Sequence, residues 1–118
     1  MKYIALIYSA PGSGPAPGSP EMNEMMQGYY AAGEKYRADG VMVAGEPLEE
    51  TSQATTIRRR DGKLETMDGP FAETKEALGG FYIFDCENLD DALKYAAMIP
   101  TVDYGCVEVR PLMVLDGV

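Results

Sequence analysis

The groups able to do chemistry in this chain are carboxylates, tyrosines, arginines and lysines, because it contains no histidine. The commonest general base near neutral pH is therefore missing. Cys86 and Cys106 are its two cysteines. Two thiolates without a histidine cannot complete a four-ligand zinc site, and without a neighbouring base neither forms a nucleophile dyad. Both read as small buried hydrophobes. No dinucleotide fingerprint or zinc spacing occurs, and the segment 9–20, SAPGSGPAPGSP, lacks the lysine of a phosphate-binding loop. No metal and no cofactor are expected.

Asp68 stands first among the carboxylates. It ends a strand-like run just before Gly69-Pro70. Its carboxylate either accepts backbone N–H bonds in an Asx-type turn or serves as a base or ligand anchor in a cleft. The second role requires partial burial to raise its pKa toward working pH. Glu46 lies at another strand end, between Gly45 and Pro47. It is either a pocket acid or a solvated loop residue. These two are the catalytic candidates.

Arg110, in VEVRP, alternates onto the strand face of Glu108 and Cys106. A guanidinium there needs a carboxylate or a bound anion, and Glu46 or Asp68 is the expected protein partner. Tyr3 and Tyr8 carry hydroxyls on aromatic bodies that suit a small aromatic ligand, or else they are core tyrosines with satisfied hydroxyls. Glu73, Lys75 and Glu76 follow Phe71. They are expected to stay hydrated while Phe71 turns inward as an anchor. Glu73 and Lys75, with Arg110, Tyr3 and Tyr8, form the candidate ligand-binding set. The cations Arg58, Arg59, Arg60 and Lys63 cluster nearby, with Glu73 and Glu76 of the same or a partner chain, or an anionic ligand, as their expected counter-charges.

These groups need elements to hold them. Residues 2–9, KYIALIYS, read as a strand apolar on both faces. Segment 9–20 is a loop, taken either as a plain connection or as a lid. Ser19-Pro20-Glu21 starts a helix that Gly40 closes, with Met22, Met25, Met26, Tyr29, Gly33 and Tyr36 as its apolar stripe. Strands follow at 41–46, at 54–60 and 63–67 around the Asp61-Gly62 hairpin turn, and at 80–86. Asn88 caps a second helix running to about Ile99, with Leu89, Ala92, Leu93, Ala96 and Ala97 as its stripe. The last strand is 105–114. The order predicts an α+β fold, βαββαβ with an inserted β-hairpin, its two helices covering one sheet face. The other face is apolar as well, so a second copy of the chain, packed sheet to sheet, is the expected cover.

At 118 residues and 46% apolar composition the chain reads as one soluble domain, residues 1–118. No apolar run is long enough to span a membrane and the opening stretch is too short for a signal-peptide core, so a cytoplasmic location is expected. A net charge of −9 argues against nucleic acid as a partner.

The stretch MDGPFAETKEALGGFY at 67–82 resembles the signature of the DGPF proteins within the YCII-related family. The likeness extends to MKYIALIY, VAGEPL, ATTIRRRDGK, NLDDAL and VEVRP. What the resemblance implies is a ferredoxin-like fold of the dimeric α+β barrel type, in agreement with the pattern above. Many members have no established activity. Some resemble enzymes with a His–Asp pair, which a chain without histidine cannot have, and one branch resembles a dehydrochlorinase acting on a hydroxylated aromatic. Others are associated with sigma-factor genes. Three functions are therefore open. The first is a small-molecule binding or sensing module with its cleft near the DGPF segment, taking a small organic acid or aromatic. The second is a cofactor-free lyase or isomerase with a carboxylate base. The third is an interaction partner of a transcription factor.

Overall fold

A computed structural model describes residues 1–117. The first strand, β1 (Lys2–Ser9), alternates as its sequence demands. Tyr3, Ala5 and Ile7 are buried, and Ile4, Leu6 and Tyr8 on the opposite face are half-buried. Helix α1 (Pro20–Ala38) begins where the Ser19 hydroxyl accepts the Met22 N–H at 3.1 Å, with Pro20 inside the first turn. It ends in a Schellman motif. Gly40 takes φ +69°, its N–H bonds the Arg37 carbonyl and the Val41 N–H bonds the Tyr36 carbonyl, each at 3.1 Å.

The remaining elements are β2 (Met42–Pro47), β3 (Thr55–Arg60), β4 (Lys63–Asp68), β5 (Ala77–Asp85), α2 (Leu89–Ala96) and β6 (Cys106–Pro111), with a short 3-10 turn at Pro100–Asp103. Four strands form one sheet in the order β2-β5-β1-β6, every neighbouring pair antiparallel. This is the split βαβ arrangement of a ferredoxin-like fold. The core lies on the face that carries the helices: Ala5, Ile7, Ala32, Tyr36, Val41, Phe84 and Ile99.

The hairpin β3–β4 stands apart as its own two-stranded sheet. Asp61 (φ 51°) and Gly62 (φ 75°) supply the two left-handed positions of a type I′ turn. No residue of either hairpin strand is fully buried. The molecule measures 48 × 44 × 18 Å, with a radius of gyration of 16.5 Å. A compact chain of this length would have about 13 Å. Flatness is what one sheet with helices on a single face, plus a projecting hairpin, must give.

Three expectations about the elements change. Strand β5 starts at Ala77 rather than at Gly80. Gly79 and Gly80 lack side chains to show an apolar pattern, yet Gly80 pairs with Ile7 and Pro47 in the ladder, and Gly79 sits at the register shift beside it, its carbonyl accepting the Leu48 N–H at 2.8 Å. Strand β6 stops at Pro111, which has no N–H to continue it. Helix α2 ends at Ala96 and buries Ala92 and Ala96, whereas Leu89 and Leu93 are each 47% exposed. Tyr95 and Ile99 pack against the sheet where those leucines were expected.

Candidate functional site

A cleft of about 460 Å³ opens between α1 and the β2–β5 side of the sheet. That is within the roughly 300–1,000 Å³ typical of small-molecule sites. Met26, Tyr29, Tyr30, Gly33 and Arg37 line it from α1, and Met42, Gly45, Pro47, Gly80 and Tyr82 from the strands. The helical residues recur at intervals of three and four, so they share one face. On the strand side, register pairs Gly45 with Tyr82 and Met42 with Phe84, on the sheet face that carries the helices.

Two glycines let chain segments close up at the strand wall of the cleft. A Cβ at Gly45 would stand 2.5 Å from the Tyr82 ring, and one at Gly80 would stand 3.0 Å from the Glu46 carbonyl oxygen. The Tyr82 ring therefore lies flat across β2 where a side chain would otherwise stand. Behind it is an aromatic wall. Tyr36 meets Tyr82 edge-on at 5.2 Å and Phe84 at 4.8 Å, and Tyr82 stacks on Phe84 at 5.8 Å. The Tyr36 hydroxyl donates to the Tyr95 carbonyl at 2.7 Å, which fixes the wall's inner edge.

A chain of hydroxyls closes one end. Tyr29 and buried Thr101 share a hydrogen bond of 2.6 Å, and Thr101 lies 3.4 Å from the Tyr104 hydroxyl. Burial pushes the Tyr29 phenol up, only partly offset by its bond to Thr101. Burial raises Tyr82 as well, while the Arg37 charge pulls it down. Both stay neutral donors near pH 7, so the cleft offers phenol O–H groups rather than phenolate bases. Among the described residues no group of three or more acids or cysteines is arranged to hold a metal ion.

The sequence-derived candidates scatter. Glu46 reaches the cleft, at its exposed rim. Its register with Phe81 puts its side chain on the face away from the helices. Asp68 ends β4 on the hairpin, exposed and outside the cleft. Two residues on stands Pro70, which has no N–H to donate, and among the described residues nothing hydrogen-bonds the Asp68 carboxylate, so the Asx-type turn does not form. Arg110 bonds Glu108 at 2.7 Å rather than Glu46 or Asp68, because the two share one strand face two residues apart. Tyr3 is buried under the helices with its hydroxyl 3.6 Å from the Met1 sulfur, whereas Tyr8 faces the other way. One ligand cannot touch both. Glu73 and Lys75 are exposed between the hairpin and β5.

Other expectations are corrected. Phe71 is 83% exposed, since the turn at Gly69-Pro70 leads it away from the core. Arg58 pairs with Glu65 across the hairpin at 3.3 Å, not with Glu73 or Glu76, because residues in direct register on one hairpin face are the nearest available. Neither cysteine is fully buried. Cys106 donates to the Glu76 carboxylate at 3.3 Å, which holds its thiol pKa up, and burial raises Cys86. Neither is an activated thiolate.

Tyr29, Tyr82, Arg37 and Thr101 are not among the residues that the sequence marks as a site: Tyr29 falls in the apolar stripe of α1, and Tyr82 falls within the apolar run FYIF. The available signal was Gly45 and Gly79-Gly80, because glycines inside strands mark close approach of another group.

Comparison with known proteins agrees with this architecture. Residues 1–116 match the YCII-related domain. An uncharacterized protein of Rhizobium meliloti (strain 1021) is 39% identical over 114 residues, covering 95% of this chain and 92% of that one. The fold is similar to 5-chloro-2-hydroxyhydroquinone dehydrochlorinase from Burkholderia phenoliruptrix AC1100, solved in complex with 2,5-dihydroxybenzoquinone. The TM-score is 0.50 at 15% identity, over 96% of this chain and 94% of that one. At so low an identity the likeness concerns the fold alone. A family match running almost from end to end, over strands in ferredoxin-like order, means that the chain belongs to the YCII-related family.

Proposed function

We propose that this protein is a small-molecule binding or sensing module whose ligand occupies the α1–β2–β5 cleft. The observation that carries the reading is a concave, largely aromatic and aliphatic site with a few directed polar groups, its strand wall packed tightly at Gly45 and Gly80. Such sites are the usual location of small ligands. The test is a thermal-shift screen of small acids, phenols and metabolites, because a ligand that binds only the folded state raises the melting temperature. The hits should lose their effect on Gly45→Leu, which displaces the Tyr82 ring from the cleft wall. Hits that stabilise Gly45→Leu equally would place the site elsewhere.

The working unit in this proposal is a homodimer joined through the open sheet face. Ile4, Leu6, Tyr8, Ala44, Phe81 and Ile83 form a continuous, half-buried apolar surface there, and among the described residues no third helix covers it. Sheets packed about a two-fold axis would hide it. Sedimentation of Leu6→Lys should show a monomer where the parent protein shows a dimer. A parent protein that sediments as a monomer would refute this part.

A second reading, a cofactor-free lyase or isomerase, draws its support from the dehydrochlorinase of similar fold. In this chain the acidic residue at the rim of the cleft is Glu46, not Asp68, and as a base it would have to turn its side chain round the β2 edge. A screen hit that is converted by the protein, with conversion abolished in Glu46→Gln, would favour that reading. Unchanged conversion would remove Glu46 as the base.

A further inference from the structure

Resting on the cleft as the ligand site, we infer that its ligand class is a planar aromatic monoanion, recognised through Arg37. Among the described residues Arg37 is the one cation lining the cleft. It sits in the last turn of α1 and folds back over Gly33, one turn earlier. A Cβ at Gly33 would lie 3.3 Å from Arg37 Nη2 and 3.5 Å from Nη1. The missing side chain lets the guanidinium lie close along the helix surface at the cleft. Among the described residues no carboxylate comes within ion-pair distance of Arg37, although Lys35, two residues earlier on α1, is paired with Asp39. The guanidinium fork is thus free to take an incoming acid with two parallel hydrogen bonds.

The rest of the cleft selects shape. Tyr29, Tyr30 and Tyr82 present rings, and Met26 and Met42 present adaptable aliphatic surface. Flat apolar walls with a cation at one side fit a ring that bears an acid group. Charge argues for one negative charge rather than two. The chain carries −9 overall, and a single arginine must offset the repulsion felt by an incoming anion. A phosphate ester would lack the further cations or clustered backbone donors that such groups usually meet. The hydroxyls of Tyr29 and Thr101 can serve a phenol or second oxygen at the far end.

The experiment titrates isotopically labelled protein with 4-hydroxybenzoate and with its neutral counterpart 4-hydroxybenzamide, following backbone amide shifts. The parent protein should bind the acid about tenfold more tightly than the amide, as expected for a charge-assisted pair at a partly exposed site. Both should perturb Gly33, Gly45 and Gly80. Arg37→Met keeps the aliphatic stem and removes the charge, so it should bring the two affinities together. Arg59→Met, on the hairpin, should leave the preference intact. Equal binding of acid and amide to the parent, or a preference that survives Arg37→Met, would overturn the inference while leaving the cleft reading in place. Loss of the preference in Arg59→Met would also overturn it, since overall charge would then be the cause. Perturbation by both compounds at the hairpin and not at the cleft would refute the cleft reading and this inference together.

Discussion

The α1–β2–β5 cleft and the β3–β4 hairpin are stabilised by opposite means. Around the cleft, side chains from distant parts of the sequence interlock: Tyr36 from α1, Tyr82 and Phe84 from β5, and Tyr95 from α2 pack with ring separations of 4.8–5.8 Å. The hairpin has almost no such packing. Its shape comes from a two-residue turn, a ladder of six register pairs and one exposed ion pair. One region derives its geometry from tertiary contacts, the other from local backbone preference. A ligand site needs the first kind, because walls that must stay apart under hydrophobic pressure have to be braced from behind. The hairpin is better suited to reach outward. Ile57 and Leu64, on one face of it, are 61% and 56% exposed.

The sharpest way to break this contrast is Tyr36→Ala. Removing a fully buried ring that touches three other aromatics should cost about 3–5 kcal/mol, read as a lower denaturant midpoint. Ile57→Ala on the hairpin should change stability by no more than about 0.5 kcal/mol in dilute monomer. Comparable losses at both sites would mean that the hairpin is part of the core. Gly45→Ala comes next. With its Cβ 2.5 Å from the Tyr82 ring, the ring or strand must move, at about 1–3 kcal/mol. Near-ultraviolet circular dichroism should report the displaced tyrosine.

The third prediction concerns pH. Burial raises the Tyr36 phenol far above its ordinary value, with smaller upward shifts for Tyr29 and Tyr82. In the unfolded chain these groups ionise near pH 10, roughly the free tyrosine value. The folded state therefore holds protons that the unfolded state releases. Stability is complete below that pH and falls as pH rises toward the folded values. Tyr36→Phe should lose about 1 kcal/mol at neutral pH through its missing hydrogen bond, yet decline less steeply in alkali. An equally steep decline would show that the wall does not restrain ionisation. The smallest effect belongs to the hairpin ion pair. A double-mutant cycle on Arg58 and Glu65 should give a coupling below about 1 kcal/mol, vanishing in salt. A larger coupling would make the hairpin more than locally held.

Much of the fold could be read along the chain, because its signals are local. Ser19-Pro20, Gly40, Asp61-Gly62 and Asn88 each specify a cap or turn through their own backbone demands, and each does so in the structure. The ferredoxin-like order followed from the sequence of elements. The cleft was far less legible. Of the named candidates Glu46 lines it, whereas Tyr29, Tyr82 and Arg37 lie up to 53 residues apart and meet only once α1 is laid on the sheet. The DGPF segment drew attention by its sharp turn chemistry, and that turn carries Phe71 out to 83% exposure rather than into the core. The sequence offers Glu46 or Asp68 as the partner of Arg110, whereas Glu108, two residues away on the same strand face, takes that place. Sequence spacing gives faces and turns readily. It does not give which faces will leave a gap between them.

The most direct test of the account is the location of bound ligand, read from backbone amide shifts during titration with the strongest hit of the thermal screen. The account predicts perturbations centred on Gly33, Arg37, Gly45, Gly80 and Tyr82, with residues 61–76 unmoved. Perturbations centred on Asp68 to Glu76, with the α1–β2–β5 amides unchanged, would contradict it.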